Sequence, residues 1–324
     1  MRQEPHLLSL EDAGTAARWH TLWTCSPQRC AFAAWPYARA LAETMNLEAA
    51  VLFVEVNGTD EAGVLLFRRR RGPYRTAVVP PFTAFTPLVF RHMPPEAALH
   101  TRTSAFETAL ATLERHFDGV ALHLHPTTTD VRVCRWRGWS VTPLYTYCIR
   151  LADEPTLLDG WSAGARRTFR NHREAYRLET AEEAGVVVHL VQKSLARQGR
   201  PLPVPPAALA GLVTRLHEAG LVRLFSLRSR KEGTPEAAVA LLHDGRTAHY
   251  WLAGSRPGPA MTVLLGLLWP RLHREGMVTF DFVGANTPSI AEFKRRFGPH
   301  LTPYFRIEKT RPLLLRLLDS LTKI

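Results

Sequence analysis

Lysine is scarce in this chain, which has five lysines against 36 arginines. Cysteine is limited to Cys25, Cys30, Cys134 and Cys148, without a C-x-x-C pair or a C…C…H-x-H frame, so neither a disulfide scaffold nor a structural zinc site is expected. Buried reduced thiols are the reading for all four. His123-x-His125 sets two imidazoles on one strand face, which falls short of a metal ligand set, and no metal is expected. The longest mainly apolar run, Met261–Pro270, is about half of a membrane span. The first twelve residues carry Glu4, Glu11 and Asp12 and lack a long apolar stretch, so no signal peptide is read and a cytoplasmic location is expected. There is no Gly-x-Ser-x-Gly elbow, Walker loop, Gly-x-Gly-x-x-Gly turn or His-Glu-x-x-His pair, which removes the usual signatures of serine hydrolases, P-loop and dinucleotide enzymes and zinc proteases.

What is present is an ordinary globular composition over 324 residues, 46% hydrophobic and 22% charged, enough for one large domain or two. The net charge is +12 and uneven. Residues 1–150 hold 16 basic and 13 acidic groups, whereas the remainder holds 25 and 16. Such a balance suits a phosphate, nucleotide, RNA or anionic membrane partner. The dominance of arginine also fits a GC-rich coding bias, and composition alone leaves both readings open.

Strands are expected at Ala50–Val56 (ending in the hairpin signal Asn57-Gly58), Gly63–Arg68, Arg75–Val79, Val120–His125 and Ser140–Ile149. The helix between them, Pro95–His116, places Ala98, Ala105, Ala109 and Leu113 on one stripe. In the second half, strands are expected at Val186–Val191, Leu221–Leu227, Ala237–Leu242, Ala248–Ala253 and Val278–Val283, and helices at Ser162–Arg177, Pro206–Ala219, Met261–Glu275 and Pro288–Arg296. The halves repeat one another. A His- and Gly-containing turn (115–119; 272–276), a strand, a short helix, an aromatic and glycine segment and a Thr-Pro pair (142–143; 302–303) follow in the same order in both. A duplicated α+β unit follows from that order.

The order of elements is that of the closing half of the GNAT (N-acetyltransferase) fold. Three stretches resemble the Fem family of peptidoglycan-branching aminoacyltransferases, whose members pair two GNAT units. They are Trp136–Leu151, which is similar to the junction between units, Trp161–Arg170, similar to the helix after it, and Phe280-Asp-Phe-Val-Gly284 leading to Ser289–Gly298, which resembles the closing motif. The resemblance implies a mixed α+β protein of two tandem GNAT-like domains, each a mostly antiparallel sheet flanked by helices. The divisions are 1–144, 145–306, and a C-terminal helix (307–324) packing back on the first domain. Pro312–Leu321 is Leu-rich, and peripheral membrane contact is its alternative use. The long coiled-coil arm of some Fem enzymes has no counterpart.

Candidate residues follow from both lines of reasoning. The likeness places Phe293-Lys294 at the acyl donor site, where an ammonium would stabilise the oxyanion formed as an amine attacks an activated carbonyl. A surface lysine in a basic helix is the plain alternative. Asp281, between Phe280 and Phe282, is costly to bury without a partner. It would orient an amine or Lys294, act as base, or form a structural ion pair. Arg166, Arg170, Arg173 and Arg177 recur at helical spacing beside a stripe of Ala165, Phe169, His172 and Tyr176, and read as an anion clamp or a solvated face. Arg295 and Arg256 are further donor-side cations. Asn286 and Ser289 start the last helix and would contact the acceptor. Trp35 and Arg39 resemble the Fem segment that meets the acceptor. The turn expected to hold a coenzyme A pyrophosphate reads Gly254-Ser-Arg-Pro-Gly-Pro-Ala260, and Pro257 and Pro259 remove amide donors from it. The function expected is therefore an N-acyltransferase without a tightly bound cofactor, whose co-substrate is aminoacyl-tRNA. Acyl-coenzyme A is the alternative donor, a peptidoglycan precursor or small amine the acceptor, and a non-catalytic RNA- or anion-binding pair the rival reading.

Overall fold

The computed structural model describes residues 7–56, 58–91 and 95–311. These fall into two compact units, 7–144 with 303–311, and 145–302.

In the first unit β1 (Leu7–Ser9) leads into α1 (Ala13–Thr24), whose first turn is capped by the Asp12 carboxylate accepting from the Thr15 amide. Next come α2 (Trp35–Met45), β2 (Glu48–Val56), β3 (Thr59–Arg71), β4 (Tyr74–Val78), β5 (Leu88–Phe90), α3 (Pro95–His116), β6 (Gly119–His123) and α4 (Arg132–Trp136). β7 (Ser140–Arg150) carries the chain into the second unit. That unit holds α5 (Glu154–Asp159), α6 (Ala163–His172), β8 (Tyr176–Thr180), α7 (Ala184–Arg197), α8 (Pro206–Glu218), β9 (Val222–Ser229) and β10 (Pro235–His243). It closes with β11 (Thr247–Ser255), α9 (Ala260–Arg274), β12 (Thr279–Asp281) and α10 (Pro288–Arg295), and β13 (His300–Thr310) returns to the first unit.

Within the first unit the strand order is β1-β2-β3-β4-β6-β13, with β5 beside β3, and within the second it is β7-β12-β11-β10-β9-β8. Two pairs are parallel, β4 with β6 and β11 with β12; the other pairs described within the units are antiparallel. The parallel pairs fall at equivalent places, and each is followed by a short helix ending near a left-handed glycine, Gly138 (φ 75°) and Gly298 (φ 66°). The duplicated order seen in the sequence is thus a duplicated topology.

The α3 bounds agree with the periodicity, and Ala105, Ala109 and Leu113 are buried against Leu52, Leu66 and Leu122 of the sheet. In the second unit α9 lays Leu264, Leu268 and Trp269 on Phe280 and Phe282, and Trp161, Phe169 and Phe297 close the cluster. Trp269 alone makes edge-to-face contacts with Trp161, Phe280, Phe282 and Phe297 at 5.2–5.8 Å.

Three expectations are corrected. Residues 186–191 form part of α7 and not a strand: Val187, Val188, Leu190 and Val191 are buried at helical spacing, so packing overrides the β preference of a valine run. The helix expected to reach Arg177 ends at His172, because Tyr176–Thr180 alternates as an edge strand and pairs with β9 from Tyr176↔Ser229 to Thr180↔Phe225. The sequence division assigns 303–306 to the second domain and begins a helix at 307, whereas His300–Thr310 is strand β13, which pairs with β6 from Arg306↔His123 to Thr310↔Gly119. The Leu-rich segment 312–321 and Asn57 lie outside the described residues.

Candidate active site

The site is built where a ladder stops. β11 and β12 pair in parallel over three positions, Thr247↔Thr279 to His249↔Asp281. Beyond Asp281 the chain stays with β7, the Phe282 amide donating to Tyr147 O and the Ala285 amide to Tyr145 O. β11 continues from Tyr250 to Ser255 with no strand on that side among the described residues, so the two strands open a split. On its other flank β11 pairs with β10 through a bulge: Leu241 faces Tyr250 and Ala240 faces Leu252, leaving Trp251 as the extra residue. A bulge of this kind re-aims backbone groups and terminates regular pairing. Backbone amides lining a split are preorganised donors for a carbonyl oxygen on which charge develops.

The loop leaving β12 forms one rim, and it is strained. Val283 has φ 54° and Gly284 φ 84°, and a β-branched residue at positive φ costs on the order of 1–3 kcal/mol. Three side chains hold this geometry. The Asp281 carboxylate accepts from the Thr146 hydroxyl and from the Val283 amide at 2.8 Å, and its second oxygen lies 3.6 Å from His249 Nδ1. The Thr146 hydroxyl in turn accepts from the Gly284 amide at 3.1 Å. Lys294 Nζ donates to Phe282 O at 2.7 Å, Val283 O at 3.1 Å and Gly284 O at 2.6 Å. Lys294 is 5% exposed and Asp281 3%. Burial pulls the Lys294 ammonium down to about 8, opposed by Asp281. Burial pushes Asp281 up, but the His249 ring, Thr146 and the Val283 amide outweigh it and hold the carboxyl below its ordinary value.

This geometry revises the role read for Lys294. An ammonium has three donors, and all three are spent on backbone carbonyls of the loop. The lysine fixes the rim of the split through these three carbonyls. Asp281 likewise sits in a buried network with Thr146 and His249. Phe293 is half-buried and packs edge-on to Phe297 at 5.1 Å, while Arg295 is exposed and pairs with Glu292. Asn286 bonds both the amide and the carbonyl of Tyr145, tying the loop to β7, and Ser289 is exposed at the start of α10.

The arginine stripe is not continuous. Arg166 and Arg170 lie on α6, with Arg166 donating to Leu158 O and Asp159 O and Arg170 exposed. Arg173 follows the helix and pairs with Glu154 and Glu174, and Arg177 lies on β8 and pairs with Glu179. Of the neighbouring stripe, Ala165 and Phe169 are buried but His172 is exposed. Arg256 is exposed before α9. Gly254 serves packing and not a phosphate turn, since a Cβ there would collide with the Leu190 carbonyl and the Val191 amide of α7. Trp35 is half-buried and Arg39, paired with Glu43, is exposed; both belong to α2 of the first unit.

Thr146, His249, Tyr250 and Trp251 were not singled out by sequence. Tyr250 is the first residue past the pairing, its ring 6.0 Å from Lys294 Nζ and 5.6 Å from the Phe282 ring. A local signal for these residues is weak, because their importance comes from where the parallel register ends.

Residues 162–295 match the acetyltransferase (GNAT) domain family model. No curated protein sequence matches the chain. Among solved structures the chain is similar to FemX, with a TM-score of 0.66 at 13% identity over 94% of this chain and 97% of that one. It is also similar to the C-terminal domain of a candidate lysylphosphatidylglycerol synthetase from Agrobacterium fabrum (TM-score 0.58, 16% identity, 95% and 96% covered). A tandem GNAT protein from the clavulanic acid biosynthesis pathway gives 0.55 at 14% identity, over 94% and 97%. At such identities the likeness concerns the fold. Residues 162–295 thus match the GNAT acetyltransferase domain model, and the chain shares the fold of FemX and of a tandem GNAT protein.

Proposed function

We propose that the chain transfers an aminoacyl group from aminoacyl-tRNA to an amine acceptor. The observation that carries the transfer chemistry is the split between β11 and β12, with its bulge at Trp251 and its buttressed rim. The amine nitrogen attacks the ester carbonyl, and the C–N bond forms as the C–O bond to the ribose breaks. The proton lost by the amine ends on the departing hydroxyl. Backbone amides of β11 in the split stabilise the oxyanion, and Lys294, Asp281 and Thr146 act as positioning residues by holding the loop 282–284. Neither a covalent enzyme intermediate nor a metal is required by this scheme.

The preference for tRNA over coenzyme A rests on the approach to α9. Pro257 and Pro259 lack amide hydrogens, which thins the donor set a pyrophosphate would need, while the chain is strongly cationic. An acyl-coenzyme A donor is the second reading, favoured by the family model. A cytoplasmic protein and an acceptor that is a peptidoglycan precursor or small amine go with the first. The deciding experiment offers a model amine both charged tRNA and coenzyme A thioesters and looks for added mass. Product formation abolished by ribonuclease supports the tRNA reading, and ribonuclease-resistant transfer from the thioester overturns it.

A further inference from the structure

The β3–β4 hairpin of the first unit carries Arg68, Arg69, Arg70, Arg71 and Arg75 around the turn Gly72-Pro73. A charge cluster of this kind commonly guards a sheet edge. The topology removes that explanation, because β3 lies between β2 and β4, and β4 between β3 and β6. The ladders run out instead. β2 reaches no further along β3 than Glu48↔Arg68, and β6 joins β4 only from Thr76↔Gly119. Residues 69–75 therefore lie on a two-stranded ribbon running past the β2 and β6 ladders, Arg69 pairing with Thr76, Arg70 with Arg75 and Arg71 with Tyr74, and the Asp118 amide donating to Arg75 O at its base. Gly72, at φ 58° before Pro73, supplies the first central position of the tight turn that keeps the ribbon twisted and narrow.

Alternation along the strands puts guanidinium groups on both faces. Arg70 stands directly opposite Arg75, with Arg68 on the same face, while Arg69 and Arg71 share the other face with Tyr74 and Thr76. Arg69, Arg70 and Arg75 are exposed. Like charges directly opposite one another destabilise a ribbon, and its seven residues include no acid. The acids nearby stand at its base: Glu48 pairs with Arg68, and the Asp118 carboxylate accepts from the Arg75 backbone amide. Hollows of about 510 Å³ and 540 Å³ adjoin the hairpin, the first lined by Arg68, Arg70, Arg75, His116 and Glu48 and the second by Arg69, Arg71 and the paired Arg306 and Glu308.

We propose that this ribbon is a clamp for an RNA phosphate backbone. A planar anionic bilayer engages one face of a ribbon, whereas a nucleic-acid groove bordered by two phosphate rows engages both, and arginine pairs its forked donors with phosphate oxygens. The ribbon offers no apolar residue for insertion into lipid beyond Pro73 and the half-buried Tyr74. The clamp rests on the proposed function only for the identity of the RNA, a tRNA; binding is testable without transfer.

The test measures binding of unacylated tRNA to the full chain by fluorescence anisotropy from 50 to 300 mM salt (on the order of physiological ionic strength). The proteins compared are wild type, R69A/R70A/R75A and R69K/R70K/R75K. Three lost phosphate contacts lower the slope of log affinity against log salt by about 2 to 3 and weaken binding at least about tenfold at low salt. The lysine variant keeps the slope. Identical slopes for wild type and the alanine variant overturn the proposal, as does binding to phosphatidylglycerol vesicles with none to tRNA. If tRNA binds through the ribbon and no aminoacyl group is ever transferred, the clamp stands and the proposed reaction falls. Transfer from tRNA that binds independently of the ribbon overturns the clamp and leaves the reaction standing.

Discussion

Replacing Lys294 by methionine isolates the strut that the structure assigns to it. Methionine keeps most of the stem and removes the three donors at 2.6–3.1 Å from Phe282 O, Val283 O and Gly284 O. Leaving a buried acceptor unmet costs about 1–3 kcal/mol, and carbonyls with a second lone pair lie near the low end, so three of them give a loss of about 3 kcal/mol. Part of the native gain is already offset, because burial pulls the ammonium from 10.5 to about 8. Lys294→Ala adds a cavity where the stem was and costs about 1–2 kcal/mol more. Urea unfolding of the second unit at neutral pH, followed by tryptophan fluorescence, reads both values. A Lys294→Met protein within about 0.5 kcal/mol of wild type, well inside the usual scatter of surface substitutions, that had nevertheless lost transfer would refute the strut. The ammonium would then serve the reacting carbonyl.

Two further outcomes test the framework. Glu114 is pushed up by burial but carried down to about 2 by Arg137, Trp139 and Lys309, against an ordinary 4.5. The folded state thus binds fewer protons between those values. The stability from this group is full above pH 4.5 and is lost as pH falls toward 2, about 2–3 kcal/mol in all. Comparing urea midpoints of wild type and Glu114→Gln at pH 5 and about pH 3 reads the difference, and parallel losses in both proteins count against it. Gly254→Ala drives a methyl into the α7 backbone and costs about 3 kcal/mol or more by melting temperature, since backbone cannot rotate away. An unchanged melting temperature with weakened phosphate binding returns Gly254 to the donor turn.

The primary structure was informative where physics is local or repeats. The α3 stripe, the proline-started α8 and α10, and the ordered recurrence of turn, strand, short helix and glycine in both halves are written in neighbours a few residues apart, and they lead to a paired GNAT architecture. Tertiary context decided the rest. The valine run at 186–191 became helix because one of its faces found a sheet to cover, and the arginine periodicity broke at His172 because the following segment gained a strand partner. Lys294 is buried against three carbonyls that lie ten to twelve residues earlier in the chain. The split at Tyr250, the bulge at Trp251 and the run-out at Arg69 depend on where one ladder ends relative to another. That is a long-range register, which no residue carries in its own identity.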